Sequence, residues 1–250
     1  MQVARKTVTG LLAACALTSL MATGPAASAD VSSSSKTSPS GEAAARIGMP
    51  AEVAQVLRDR EATGKLSKGS RQILLRYPEY AAVVPDSENA TIEEGPTVVE
   101  QISVDEAARL GLVEDDAAAR KTQGTSDLTS AAATAGAFYC AETTVTHREP
   151  STLGATLYRF SNYLKWCYQQ GGTVHQIAGR SWNISDTSFT VEWQGIIDQA
   201  ACCVNNTNVT SYYQGYFKHC YLNQGCWGST YPKVRITGYN NGTRTYTTSS

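Results

Sequence analysis

Six of the seven cysteines, Cys140, Cys167, Cys202, Cys203, Cys220 and Cys226, fall in the C-terminal half of this 250-residue chain. An even set confined to one stretch reads as three disulfides, which places the chain in an oxidising compartment and implies a crosslinked scaffold. Spacing favours a local Cys220–Cys226 bridge, with Cys202 and Cys203 taking Cys140 and Cys167 in either order. A bridge between the adjacent Cys202 and Cys203 conflicts with the Cα separation a disulfide prefers and is not expected. Two other cysteine chemistries fit poorly. A zinc cluster around His219, Cys220, Cys226, Cys202 and Cys203 lacks paired C-x-x-C spacing, so no metal or other cofactor is expected. Cys226-Trp227 resembles a cysteine-protease nucleophile only in that pair, has no histidine after it, and as a free thiol would leave an odd cysteine.

The N-terminus supplies the export route that disulfides need. Arg5 and Lys6 precede an apolar stretch from Leu11 to Met21, which ends at Gly24-Pro25 and the small residues Ala27-Ser28-Ala29. That order is a secretory signal over 1–29 with a mature start at Asp30. A minor alternative, cleavage before Cys15 in Leu12-Ala13-Ala14-Cys15, would leave an acylated lipoprotein. No other apolar run is long enough to span a bilayer, so the protein is expected to be secreted and extracellular.

The remaining chain has two unlike parts. Residues 30–130 carry 17 acidic and 11 basic residues with two aromatics, Tyr77 and Tyr80, whereas 131–250 carry 5 acidic and 8 basic residues and 19 aromatics. The small, polar stretch 121–136 reads as the linker between them. In the acidic part, Pro50 opens a helix that Gly64 closes, a second helix surrounds Arg71 to Tyr77 before Pro78, and Ser103-Val104-Asp105-Glu106 is a capping box. The expectation is a short, mainly α-helical acidic pro-like region that shields the basic domain and is removed after export. A region with so few large apolar residues buries little on its own.

In the second part the pattern shifts to β-branched and aromatic alternation. Strands are expected at 154–168, 172–182, 187–196 and 208–221, with a hairpin of 231–239 and 243–249 turning at Asn240-Asn241-Gly242. The fold class is therefore an all-β C-terminal domain over 131–250, an antiparallel sandwich or barrel with three disulfides. Asn183, Asn205, Asn208 and Asn241 head N-x-[ST] sequons and are read as polar loop or strand-end residues.

Catalytic candidates are sparse. The second part holds three histidines and five carboxylates, with no G-x-S-x-G, H-E-x-x-H or phosphate-cradling loop. An acid–base constellation of His175, Glu192 and Asp198 is the only one to carry forward, as part of a small secreted hydrolase held as a zymogen by the acidic segment. A binding surface has more support. Tyr213, Phe217 and Tyr221 share one face of the 208–221 strand, and Tyr212, Gln214, Tyr216 and Lys218 share the other. Tyr231, Lys233, Arg235 and Tyr239 continue that mixture in the hairpin. Tyrosine beside amide and basic groups suits a cell-wall glycan or an extracellular protein. Three net positive charges over 131–250 are too weak a footprint for nucleic acid. The favoured function is a secreted, non-catalytic binding or effector module.

Overall fold

The computed structural model describes residues 48–112, 136–221 and 225–250. The signal sequence with Cys15, the mature start at Asp30 and all of the linker but Gly136 lie outside the described residues.

Among the described residues of the acidic region, four helices form: α1 (Ala51–Thr63), α2 (Lys68–Leu75), α3 (Pro78–Ala81) and α4 (Val104–Arg109). Gly64 closes α1 and Ser103 caps α4 as expected, whereas α2 begins three residues before Arg71, at a Ser67 cap. Ser67 and Ser103 each accept a hydrogen bond from the backbone N–H three residues on, Ser70 and Glu106, which satisfies one donor that a helix start leaves open. Val53, Val56 and Leu57 on α1 pack with Leu66, Leu74, Tyr80, Ala81 and Val84 into a small core that Trp227 of the β domain also joins. Helices are not the whole account, however. Strands β1 (Thr91–Glu94) and β2 (Val98–Ile102) of the same region pair antiparallel with the first strand of the β domain. Their charges match the imbalance of the two parts, since Arg159 binds Glu93 at 2.9 Å and Arg244 binds Glu94 at 3.0 Å.

The rest is two five-stranded antiparallel sheets. One runs β3 (Phe138–Pro150), β4 (Thr156–Gln169) and β5 (Val174–Ser185), with β1 and β2 on the outer edge of β3. The other orders β10 (Arg244–Ser249), β9 (Lys233–Tyr239), β7 (Asn208–Tyr221) and β6 (Val191–Cys202), with β8 (Gly225–Thr230) also on β7. Between the sheets lie Tyr158, Phe160, Leu164, Trp166, Val209, Tyr213, Phe217, Val234 and Ile236. Buried Asn162 ties the sheets together, donating to the carbonyls of Ser211 and Val234 at 3.1 Å each. In the last hairpin only Gly242 takes a positive φ, of 80°. Tyr239 N–H bonds the Thr243 carbonyl across the turn, so the connection is a three-residue loop ending in a left-handed glycine rather than a two-residue turn.

The cysteines pair as Cys140–Cys167, Cys202–Cys203 and Cys220–Cys226. The local bridge is as expected, and the other two overturn the expected exchange between Cys202/Cys203 and Cys140/Cys167. The cause is β3, which the alternation did not reveal: it sets Cys140 directly opposite Cys167 on β4 and so removes both from reach of the adjacent pair. The three bridges should differ sharply in worth. Cys140–Cys167 spans a sequence separation of 27, and replacing both residues by alanine should cost about 3–4 kcal/mol, because it frees that loop in the unfolded chain. Cys202–Cys203 has a separation of 1 and closes no loop of that kind. Denaturant midpoints of the two double variants check this, and equal losses would contradict it.

Candidate functional site

The outward face of the β9–β7–β6 sheet gathers most of the expected binding residues. Along β7, Tyr213 and Phe217 point into the core, while Tyr212, Gln214, Tyr216 and Lys218 are half-buried on the opposite face. Strand register sets Arg235 beside Tyr212 and Lys233 beside Gln214. The Lys233 ammonium lies 3.8 Å from the centre of the Tyr212 ring, with the Arg235 guanidinium 5.3 Å from it. Tyr231 leaves the end of β8 to stack on Tyr216 at 5.1 Å, and the Lys218 ammonium is 5.8 Å from the same Tyr216 ring. Gln214 Nε2 donates to the Tyr231 carbonyl, which fixes the stacked pair against the strand. Tyr239 shares the β9 parity of Lys233 and Arg235, and its hydroxyl bonds Thr245 rather than the tyrosine group.

A catalytic candidate of the sequence, Asp198, also belongs to this face. Asp198 accepts from the Tyr212 hydroxyl at 3.0 Å and from Lys233 Nζ at 3.2 Å. These two bonds, the tyrosine's first, hold its carboxyl below the usual aspartate range. Sequence spacing hides this neighbourhood, because β6 slips register at Trp193/Gly195 and again at Ile196/Asp198 before Asp198 comes opposite Gln214. The face is thus two tyrosine platforms, each with cations at its rim and one carboxylate between tyrosine and lysine. Such a surface offers stacking area, ammonium and guanidinium donors and few groups able to move a proton.

The three candidate catalytic residues occupy different places. Asp198 belongs to the tyrosine face. Glu192 lies opposite Lys218 near the other end of β6, where Gln194 Nε2 donates to it. His175 is on β5 of the other sheet, its ring tilted against Phe138 at 5.9 Å and its Nε2 buried without a partner. No hydrogen bond or ion pair links any two of them among the described residues.

Glu192 also approaches Cys220 and Cys226, with donor atoms within 4.8 Å of one another. The two sulfurs are bonded to each other and carry no thiolate, so the carboxylate is the one charged donor there. No helix among the described residues is long and apolar enough to cross a membrane. Comparison with protein-family models, curated proteins and solved structures finds no match for the chain.

Proposed function

We propose that the protein is a secreted, non-catalytic binding or effector module whose outer β9–β7–β6 face holds a cell-wall glycan or an extracellular protein. The observation that carries this reading is the paired arrangement of Tyr216 stacked on Tyr231 and Tyr212 beneath Lys233 and Arg235. A stacked tyrosine presents apolar area with its rotamer already fixed, so less entropy is lost when a ring or an apolar side chain settles on it. Cations at the rim favour an anionic polymer and speed its encounter. The Cys220–Cys226 disulfide ties β8 to β7 within the sheet that carries the face. Release from the acidic region after export is part of the same reading.

The test is co-sedimentation of Tyr212→Ala/Tyr216→Ala with cell-wall fractions, alongside capture from extracellular protein. Loss of two aromatic platforms should weaken binding by about 5- to 150-fold, from about 0.5–1.5 kcal/mol for each ring. The substitutions leave Tyr213 and Phe217 in place, so the fold should persist. Undiminished binding to both classes of ligand would overturn the proposal. The hydrolase reading rests on His175, Glu192 and Asp198, and no contact in the structure favours it over binding.

A further inference from the structure

The connection between β6 and β7, residues 203–207, joins the two sheets through its backbone. Asn205 N–H donates to the Val174 carbonyl at 2.6 Å, and Val174 N–H donates to the Asn206 carbonyl at 2.7 Å. Val174 is the first residue of β5, so this antiparallel bridge crosses from one sheet to the other. The same connection holds the last hairpin. Asn240 N–H donates to the Thr207 carbonyl at 2.9 Å, while Asn240 Nδ2 donates to the Gly172 carbonyl at 2.6 Å, just before β5.

The path of this connection is tied to the Cys202–Cys203 bridge. Cys202 ends β6, and in an extended strand its neighbour would point to the opposite side, away from it. Joining the two sulfurs requires the chain to turn, and Cys203 takes a φ of 81° and Asn205 one of 65°, a region that L residues seldom occupy. Surroundings set this disulfide apart from the other two. Cys202 and Cys203 are both exposed, as is every residue from 201 to 207. Cys140 and Cys167 are buried, out of reach of a thiol in solution. Cys220 and Cys226 stand opposite each other across β7 and β8, so the strands keep their sulfurs together for reclosure. The Glu192 carboxylate within 4.8 Å of those sulfurs also repels an incoming thiolate.

We propose that Cys202–Cys203 is a redox latch, reduced selectively by an external dithiol, whose opening frees the 203–207 connection from β5 and from the last hairpin. One thiolate of the dithiol attacks one sulfur of the pair, the S–S bond breaks, and the other cysteine leaves as a thiolate that takes up a proton. The second thiolate of the dithiol then attacks its own bound sulfur and expels the remaining cysteine, which is protonated in turn. Two electrons pass to the protein, and the dithiol ends as a disulfide. Once the bridge is open, Cys203 returns to negative φ and the adjacent side chains swing to opposite sides, so the turn is no longer imposed. Because the bridge closes no long loop, its reduction loosens this end of the sandwich without unfolding it. This inference is independent of ligand binding at the tyrosine face.

Dithiothreitol is the probe, titrated into the full chain without denaturant, with free thiols trapped by iodoacetamide and located by peptide mass spectrometry. Cys202 and Cys203 should be alkylated while the other two bridges stay intact. In the reduced protein before alkylation, the amides of Val174 and Asn205 should exchange about tenfold faster as their hydrogen bonds are lost, with the amide of Tyr213 unchanged. Oxidised dithiothreitol should restore their protection. Cys202→Ser/Cys203→Ser should show the faster exchange without reductant and no further response to it. Reduction of Cys220–Cys226 before or together with the adjacent pair would overturn the proposal, and so would unchanged exchange at Val174 once that pair is reduced. The titration of the unsubstituted chain decides the matter if the serine variant does not fold.

Discussion

Replacing Trp166 by alanine is expected to lower unfolding free energy by about 3–5 kcal/mol, the range for removing a large aromatic from a packed interior. Trp166 is fully buried on β4, and its Nε1 donates to the Tyr239 carbonyl at 2.9 Å, which pins the indole across the gap between the sheets. It lies on Gly238 of β9, where a Cβ would come within 2.5 Å of Cε2 and 2.6 Å of Cδ2. Gly238→Ala should therefore cost about 1–3 kcal/mol by forcing an anchored ring aside. The pair should be strongly non-additive, because the methyl group enters space that the missing indole has vacated. Urea midpoints for the two single variants and the double variant form the cycle. Additive losses would show that the ring and the glycine are not a fitted pair.

That pairing was only half legible in the sequence. Tyr158, Phe160, Leu164, Trp166 and Tyr168 alternate along β4, and that local property groups them on one face, but the alternation does not say that this face, rather than the other, is the one turned to the core. The seat of Trp166 on Gly238 depends on how two sheets stack, which no spacing within a strand encodes. The same limit explains β3. Its sandwich-facing positions include Thr143, His147 and Glu149 beside Ala141 and Val145, while Phe138 and Cys140 are buried on the opposite face with Ile102, Ala107 and Leu112, so polar residues and a change of buried face interrupt the apolar alternation that identifies a strand. Missing β3 hid the Cys140–Cys167 bridge and the His147–Glu149 pair. The outer face was easier to read, because Tyr212, Gln214, Tyr216 and Lys218 alternate within β7 and their partners Lys233 and Arg235 come from the hairpin whose Asn241-Gly242 turn marks it. Asp198 escaped because two register slips separate it from its neighbours by any simple count.

Acid should destabilise the fold through His219, and His219→Gln should remove much of that sensitivity. The imidazole is fully buried, and burial first, then the nearby Arg60 charge, pushes its pKa down to about 3. In the unfolded chain the same ring takes a proton near its ordinary value of 6.5. Between those two points the unfolded state binds one proton that the folded state refuses, so stability falls as pH falls. It is untouched above about pH 6.5, and the slope is about 1.4 kcal/mol per pH unit, for a total of about 5 kcal/mol by pH 3. Glutamine can keep a nitrogen donor near the Thr230 hydroxyl that His219 Nε2 now meets at 2.9 Å, yet it does not titrate. The variant is expected to be somewhat less stable at pH 7 and to lose distinctly less than the wild type between pH 7 and pH 4, measured as urea midpoints. Because Arg60 supplies part of the shift, Arg60→Ala should raise the folded-state pKa and so reduce the total loss reached by pH 3. Parallel losses in the wild type and His219→Gln would mean that His219 is already protonated in the fold, with a carboxylate rather than Thr230 as its partner.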